Sequence, residues 1–233
     1  GEFATVDIGL GQEPTDGDDI IVGNDGDDEF NGGGGDDLIC GRDGDDNIRG
    51  GSGDDNIYGG PGDDRIRGGG VRDIILGNSG EDRLWGNSKA DTVRGGAGAD
   101  VIKGGKSGDT LIGGGGGDTI FGNSGGDTIR GNSKGDDLLG GKGDDNIKGG
   151  TGRDDIDGGP GNDTISGGAG DDELHGGFGD DSLTGGSASD LYRFEQIWGT
   201  DTVTEVATEP GSTDTMDFER ARARINVTID GSR

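Results

Sequence analysis

Residues 14–193 divide into 20 consecutive nonapeptides with no insertion or deletion, and the sixth position of every one is aspartate. The first four read PTDGDDIIV, GNDGDDEFN, GGGGDDLIC and GRDGDDNIR, and the last reads GGSASDLYR. With the lines numbered 1 to 20 from Pro14, the eighth column is apolar throughout, from Ile21 and Phe30 to Leu183 and Tyr192. The first column is Gly everywhere except Pro14, and the second is Gly or Asn except at Thr15 and Arg42. The fourth is Gly in 15 lines, the exceptions being Val71, Lys89, Ser107, Lys134 and Ala188. A beat this regular belongs to a chain whose repeats bury their inner faces only against their neighbours.

Each column has its own physics. Asn is the non-glycine residue that best tolerates positive φ, so Gly/Asn alternation in the second column predicts a left-handed backbone there. An apolar residue between two polar ones, after a glycine turn, predicts a very short strand with one inward side chain. Its two neighbours face out, forming two outer ladders on each sheet. A helix is excluded, because glycine at this density costs about 1 kcal/mol per residue relative to alanine. Low-complexity disorder offers no reason to hold Asp and an aliphatic residue in two separate columns over 20 units.

Composition sharpens the problem. With 60 glycines, a formal charge of −29 and 25% hydrophobic residues, the chain alone in water buries too little to offset ordering its backbone. That charge repels nucleic acid and anionic lipid and attracts cations. A single cysteine, Cys40, excludes an internal disulfide framework. No apolar run reaches the length of a membrane helix. The opening GEFATVDIGL lacks the basic start and continuous apolar stretch of a secretory signal, and Gly1-Glu2-Phe3 is consistent with a cloning remnant.

The lines resemble GGxGxDxUx, the RTX nonapeptide of calcium-binding parallel β-rolls, and the resemblance covers residues 14–193. It implies an all-β, right-handed parallel β-roll of about ten coils, each made of two lines, with calcium between successive turns on both edges. The implied ligands are backbone carbonyls of the glycine turns and the sixth-column carboxylates. These are Asp19, Asp28, Asp37, Asp46, Asp55, Asp64, Asp73, Asp82, Asp91, Asp100, Asp109, Asp118, Asp127, Asp136, Asp145, Asp154, Asp163, Asp172, Asp181 and Asp190.

Those residue types suit calcium, which takes six to eight oxygens in flexible geometry. A glycine turn can aim several carbonyls at one point because no Cβ blocks the approach. His175 and Cys40 are single and far apart, which disfavours zinc, and magnesium prefers tighter octahedral geometry with its water retained. If line n stacks on line n+2, two edges of nine gaps offer 18 sites and +36 of charge, comparable with the −29 of the chain. The ion is then part of the fold. Lines 7, 9 and 11 share an edge and lack the fourth-column Gly, and line 7 also carries Arg72. Two expectations stand there: weak or empty sites with a Lys ammonium in place of an ion, or sites that fill regardless because only carbonyls matter. Lines 2–6 and 15–19 are expected to bind best.

Ten strands at about 4.8 Å spacing predict a rod roughly 48 Å long. Residues 1–13 read as a lead-in, with Ala4, Val6, Ile8 and Leu10 alternating as a first strand. Residues 194–233 read as a C-terminal β cap: the glycine beat stops, Phe194, Trp198 and Phe218 appear, and DTVTEV (201–206) and INVTI (225–229) alternate like ordinary strands. A threonine ladder (Thr92, Thr110, Thr128) invites comparison with ice-binding solenoids, but its partner column holds Arg94, Arg130 and Lys148, and threonine is simply a good strand residue. Three catalytic patterns are repeat noise: G-x-S-x-G at Gly122–Gly126 has no following helix, Gly105-Lys106-Ser107 lacks the upstream Gly of a phosphate loop, and one histidine supplies no zinc-protease motif.

The leading functional expectation is a non-catalytic module of a protein secreted by a type I machinery. It binds calcium, stays unfolded in the cytosol and folds outside the cell, and it is expected to be monomeric and extracellular. The alternatives are the C-terminal roll of a secreted hydrolase (protease or lipase), or a rigid spacer of an adhesin or surface-layer protein.

Overall fold

The computed structural model describes residues 4–7, 14–194, 199–206, 213–217 and 224–230. All regular structure among them is β. Two parallel sheets face each other, one of 13 strands and one of 11, and consecutive lines alternate between them. Odd lines feed the 13-stranded sheet and even lines the other, so line n pairs with line n+2. Register follows the 18-residue coil without slippage, as in Ile57↔Ile75 and Ile66↔Leu84. This is the parallel β-roll of about ten turns that the resemblance implies.

Most strands are six residues long with a burial pattern of the type seen in Asn47–Ser52, where Ile48 and Gly50 point inward and Asn47 and Arg49 outward. The eighth column forms the core: every member from Ile21 to Tyr192 is at most 1% exposed. Bulkier rings sit near the ends of the stack, Phe30 at one end, Tyr192 and Phe194 at the other. The Tyr192 hydroxyl accepts the Gly185 amide at 2.5 Å.

The second column adopts the left-handed region in every line from the third to the twentieth, with Arg42 (φ +85°), Asn78 (+85°) and Asn132 (+82°) taking the same conformation as the glycines. In the fourth column Lys89, Ser107, Lys134 and Ala188 also hold φ between +74° and +87°. At these four positions loss of glycine leaves the turn's hand unchanged, whereas Val71 does not take a positive φ.

The parallel stack continues beyond the repeats. Ala4–Asp7 pairs with Asp19–Val22 at the front of the larger sheet. Thr200–Val206 and Arg224–Asp230 extend that sheet at the back, and Thr215–Asp217 extends the smaller one. Ile8, Leu10, Trp198 and Phe218 lie outside the described residues. No helix among the described residues is long and apolar enough to cross a membrane.

Candidate metal centre

The sixth-column aspartates stack into two ladders, one along each edge of the roll. The amide of each donates to Oδ1 of the aspartate one coil further on: Asp19 to Asp37 at 2.9 Å, Asp64 to Asp82 at 2.9 Å, Asp145 to Asp163 at 2.8 Å. Nineteen of the 20 are buried at 3% exposure or less, and Asp28 is half-buried. From Asp37 to Asp190 the second carboxylate oxygen, Oδ2, is buried with no hydrogen-bond partner in all 18 lines. A buried carboxylate oxygen without a donor is costly, and repeating it 18 times requires a common partner.

The first line of each ladder is finished differently. Asp19 Oδ2 accepts the amide and hydroxyl of Thr15 at 2.7 and 3.0 Å. Asp28 accepts the amide and side-chain Nδ2 of Asn24 at 2.8 and 2.7 Å. Among the described residues no earlier amide donates to these two aspartates from a preceding coil, and a local polar side chain closes each ladder.

Around each Oδ2 the glycine backbone closes in. A methyl group on Gly59 would overlap Asp64 Oδ2 and lie 2.9 Å from the carbonyl oxygen of Gly77. Carbonyl oxygens of the second and fourth columns point along the rod axis at the next coil, so that a Cβ on Gly60 would overlap the Arg42 carbonyl and one on Gly62 that of Gly44. The turns thus present carboxylate and carbonyl oxygens without side-chain obstruction. Among the described residues, no three His, Cys, Asp or Glu side chains cluster tightly enough to hold a metal on their own. Side chains plus carbonyls form an oxygen-only donor set that fits a large, hard cation such as calcium and not a nitrogen- and sulfur-seeking one.

Burial sets the electrostatics. It pushes Asp55, Asp64, Asp100 and Asp163 up to about 7, with Coulomb repulsion from neighbouring aspartates adding to it and the accepted amide opposing it. Asp46, Asp73 and Asp82 rise to about 6 for the same first reason. Without a cation these carboxylates compete for protons near neutrality.

A second ladder was not foreseen from the repeat. Fifth-column side chains run the other way: the Asp54 amide donates to Asp36 Oδ1 at 2.8 Å, and the Asp63 amide to Asp45 Oδ1 at 2.8 Å. The two carboxylates of each Asp-Asp pair therefore point in opposite directions along the rod, one buried and one exposed. Arg72 interrupts the exposed ladder in line 7, its Nη2 binding Asp54 Oδ2 at 2.8 Å and holding that carboxyl below its usual range. The legible signal was the doubled aspartate itself, in lines 1–6 and again in 15, 18 and 19.

Lines 9 and 11 retain their ladder members. The Asp91 amide donates to Asp109 Oδ1 and that of Asp109 to Asp127, at 2.8 and 2.7 Å. Two further aspartates join in the C-terminal segment: Asp181 donates to Asp201 Oδ1 and Asp190 to Asp214 Oδ1, both at 3.1 Å. Their signal was the surviving half-pattern x-D-x-U in TDTV (200–203) and TDTM (213–216). The apparent nucleophile Ser124 instead donates to the Gly105 carbonyl at 3.2 Å, and His175 lies beside Asp157 at 3.4 Å.

The RTX calcium-binding nonapeptide repeat family matches residues 14–48, 41–75, 76–111, 104–133, 130–165 and 157–192. A comparison with curated proteins returns no match. Six abutting or overlapping matches span the roll from end to end, and their aspartate column is the one that lines both edges. The chain belongs to the RTX calcium-binding nonapeptide repeat family, and its repeats bind calcium.

Proposed function

We propose that this chain is a non-catalytic module whose folding is driven by calcium, unfolded at cytosolic calcium and folded in the extracellular medium after export by a type I secretion machinery. The observation that carries the reading is the run of 18 buried Oδ2 atoms without a donor, two parallel files of them on a chain of −29 charge. The sixth-column aspartates from Asp19 to Asp190 would hold the ions, together with turn carbonyls of the coils on either side. Each carboxylate is anchored through Oδ1 by its neighbour's amide, so its Oδ2 is presented at a fixed position. Fixed donors reduce the ordering cost of binding and make adjacent sites interdependent along the rod. Up to about 18 ions would be held, most weakly beside Arg72, where a guanidinium already neutralises Asp54.

Extracellular calcium modules bind at roughly 10⁻⁴–10⁻³ M, far above cytosolic calcium, which supplies the switch. Calcium titration from full chelation, followed by far-ultraviolet circular dichroism, tests the reading. A cooperative gain of β signal in that range is expected. A complete β spectrum in excess chelator would refute it.

A further inference from the structure

The two outer faces of the roll differ in a way that neither calcium binding nor folding explains. The outward columns of the 13-stranded sheet carry Arg94, Arg130 and Lys148 and no acid in lines 1 to 19. On the 11-stranded sheet both signs occur, and they are segregated. Between Phe30 and Tyr192, in the two columns flanking the inward residue, its cations lie in lines 4 to 10 and its acids in lines 14 to 18, with Phe121 of line 12 between them; Lys142, at the far end of the Asp137 strand, is the one cation on the strands of the acidic arm. The cationic arm is laced with rings: the Arg67 guanidinium lies 4.6 Å from the Trp85 centroid, and Lys103 Nζ 5.3 Å from that of Phe121. Arg67 and Lys103 are half-buried, and Arg65 and Arg83 stay exposed.

We propose that this face docks a second copy of the chain, antiparallel, about a two-fold axis running along the strand of Phe121. Such an axis keeps strand direction, reverses the rod and sets line 12 − k of one copy against line 12 + k of the other. Arg83 (line 8) then meets Asp155 (line 16), and Arg65 (line 6) meets Glu173 (line 18), a carboxylate it would share with the Arg193 already bound to it. Each pair occurs twice by symmetry, and Phe121 faces its own copy. A parallel arrangement would set like charges together, so the charge order selects the antiparallel one.

Among the described residues Asp155 and Asp137 form no ion pair, while Glu173 is bound by Arg193 and Lys142 lies exposed at the end of the Asp137 strand. Asp155, Asp137 and Glu173 are register neighbours on adjacent strands. A facing Arg83 would set a cation against these three adjacent acids. At the far ends line 4 would meet line 20, and both of their arginines are already satisfied internally, Arg49 by Glu29 at 3.8 Å and Arg193 by Glu173 at 2.5 Å.

Seven strands, from line 6 to line 18, span about 29 Å at ~4.8 Å spacing. A face of that length and one short strand in width buries on the order of 1,000 Å² in total, the lower limit for a specific interface. The dimer is therefore weak and sensitive to salt. The proposal needs only a folded rod, so it stands or falls separately from the calcium-driven folding reading.

Sedimentation velocity of the whole chain in saturating calcium, up to about 200 µM and at low and high salt, tests it, with dichroism confirming that each variant is folded. The expected result is a monomer–dimer equilibrium that weakens as salt rises. Arg83→Asp or Asp155→Arg should each weaken association about tenfold, and the two together should restore it. Arg130→Asp, on the opposite sheet, should change nothing. In a Cys40→Ser background, Phe121→Cys should form an intermolecular disulfide much faster than Ile112→Cys. The proposal is overturned by a monomer throughout, by a dimer that ignores the charge swap, by equal sensitivity to Arg130→Asp, or by equal crosslinking at the two cysteine positions. Binding of a soluble acidic polymer to this face of a persistent monomer would overturn it too.

Discussion

The amide of Asp64 donates to Oδ1 of Asp82 at 2.9 Å, one coil on, and Oδ2 of Asp82 is left buried without a partner. The bond is doubly useful. It satisfies a backbone donor at the edge of the sheet, and it aims the free oxygen between two coils. Substituting Asp82 by Asn keeps an acceptor for Asp64 and removes the charge. We expect Asp82→Asn to remain competent to fold at high calcium, with a stability loss of about 1–2 kcal/mol, a factor of roughly 5–30 in the folded ratio, and a raised calcium midpoint. Calcium-dependent dichroism measures the shift, and native mass spectrometry should count fewer bound ions.

Gly59 and Gly115 separate the two uses of glycine. A methyl on Gly59 would overlap Asp64 Oδ2, whereas one on Gly115 has nothing nearer than 3.8 Å. Gly59→Ala should cost about 1–3 kcal/mol by overpacking. Gly115→Ala should be neutral or stabilise by about 0.4–1 kcal/mol through the unfolded chain. Denaturant melts in saturating calcium give both values.

The pH dependence of the metal-free chain follows from the direction of the aspartate shifts. Folding raises Asp55 and Asp64 to about 7 and Asp82 to about 6, from 3.8. Raised acids bind more protons when folded, so their contribution is fully present below pH ~4 and is lost as pH climbs through 6 to 7. In chelator, acidification from pH 8 to 4.5 should therefore favour compaction, visible as a fall in hydrodynamic radius. In calcium the dependence should invert: protons compete for the same oxygens, and the calcium midpoint should rise below pH 7. A radius indifferent to pH in chelator would contradict the burial of these groups.

Arg72 marks the break in the exposed fifth-column ladder. Its ion pair with Asp54 is well exposed, so breaking it should change the stability of the folded rod little. Arg72→Asp restores the acid found in that column in lines 1–6 and leaves its amide able to bind Asp54 Oδ1. Added carboxylate charge should lower the calcium midpoint of this segment. Isothermal titration should detect a gain in affinity or in bound ions, and a midpoint that rises would show that the guanidinium supports the turn.

Much of this molecule was legible from the period alone. A fixed spacing of nine, an aspartate in one column and an aliphatic residue in another dictate a short strand with one inward side chain per line, because in a solenoid each repeat packs only on its neighbours, while the two-line coil and the two files of carboxylates were implied by the resemblance to the RTX repeat. Gly/Asn exchange in the second column foretold the left-handed backbone that Arg42 also adopts. The tertiary structure alone decided which carboxylate oxygen is consumed by the adjoining amide and which is left over. It also decided that the two aspartates of a pair run in opposite directions, and that Asp201 and Asp214 prolong the ladders. Those outcomes depend on contacts between residues 18 or more apart, where a one-column change in register would exchange donor and acceptor. The segregation of charge on one outer face has the same origin. Alternate lines go to opposite sheets, so residues mixed in sequence are sorted by parity only when the chain has coiled.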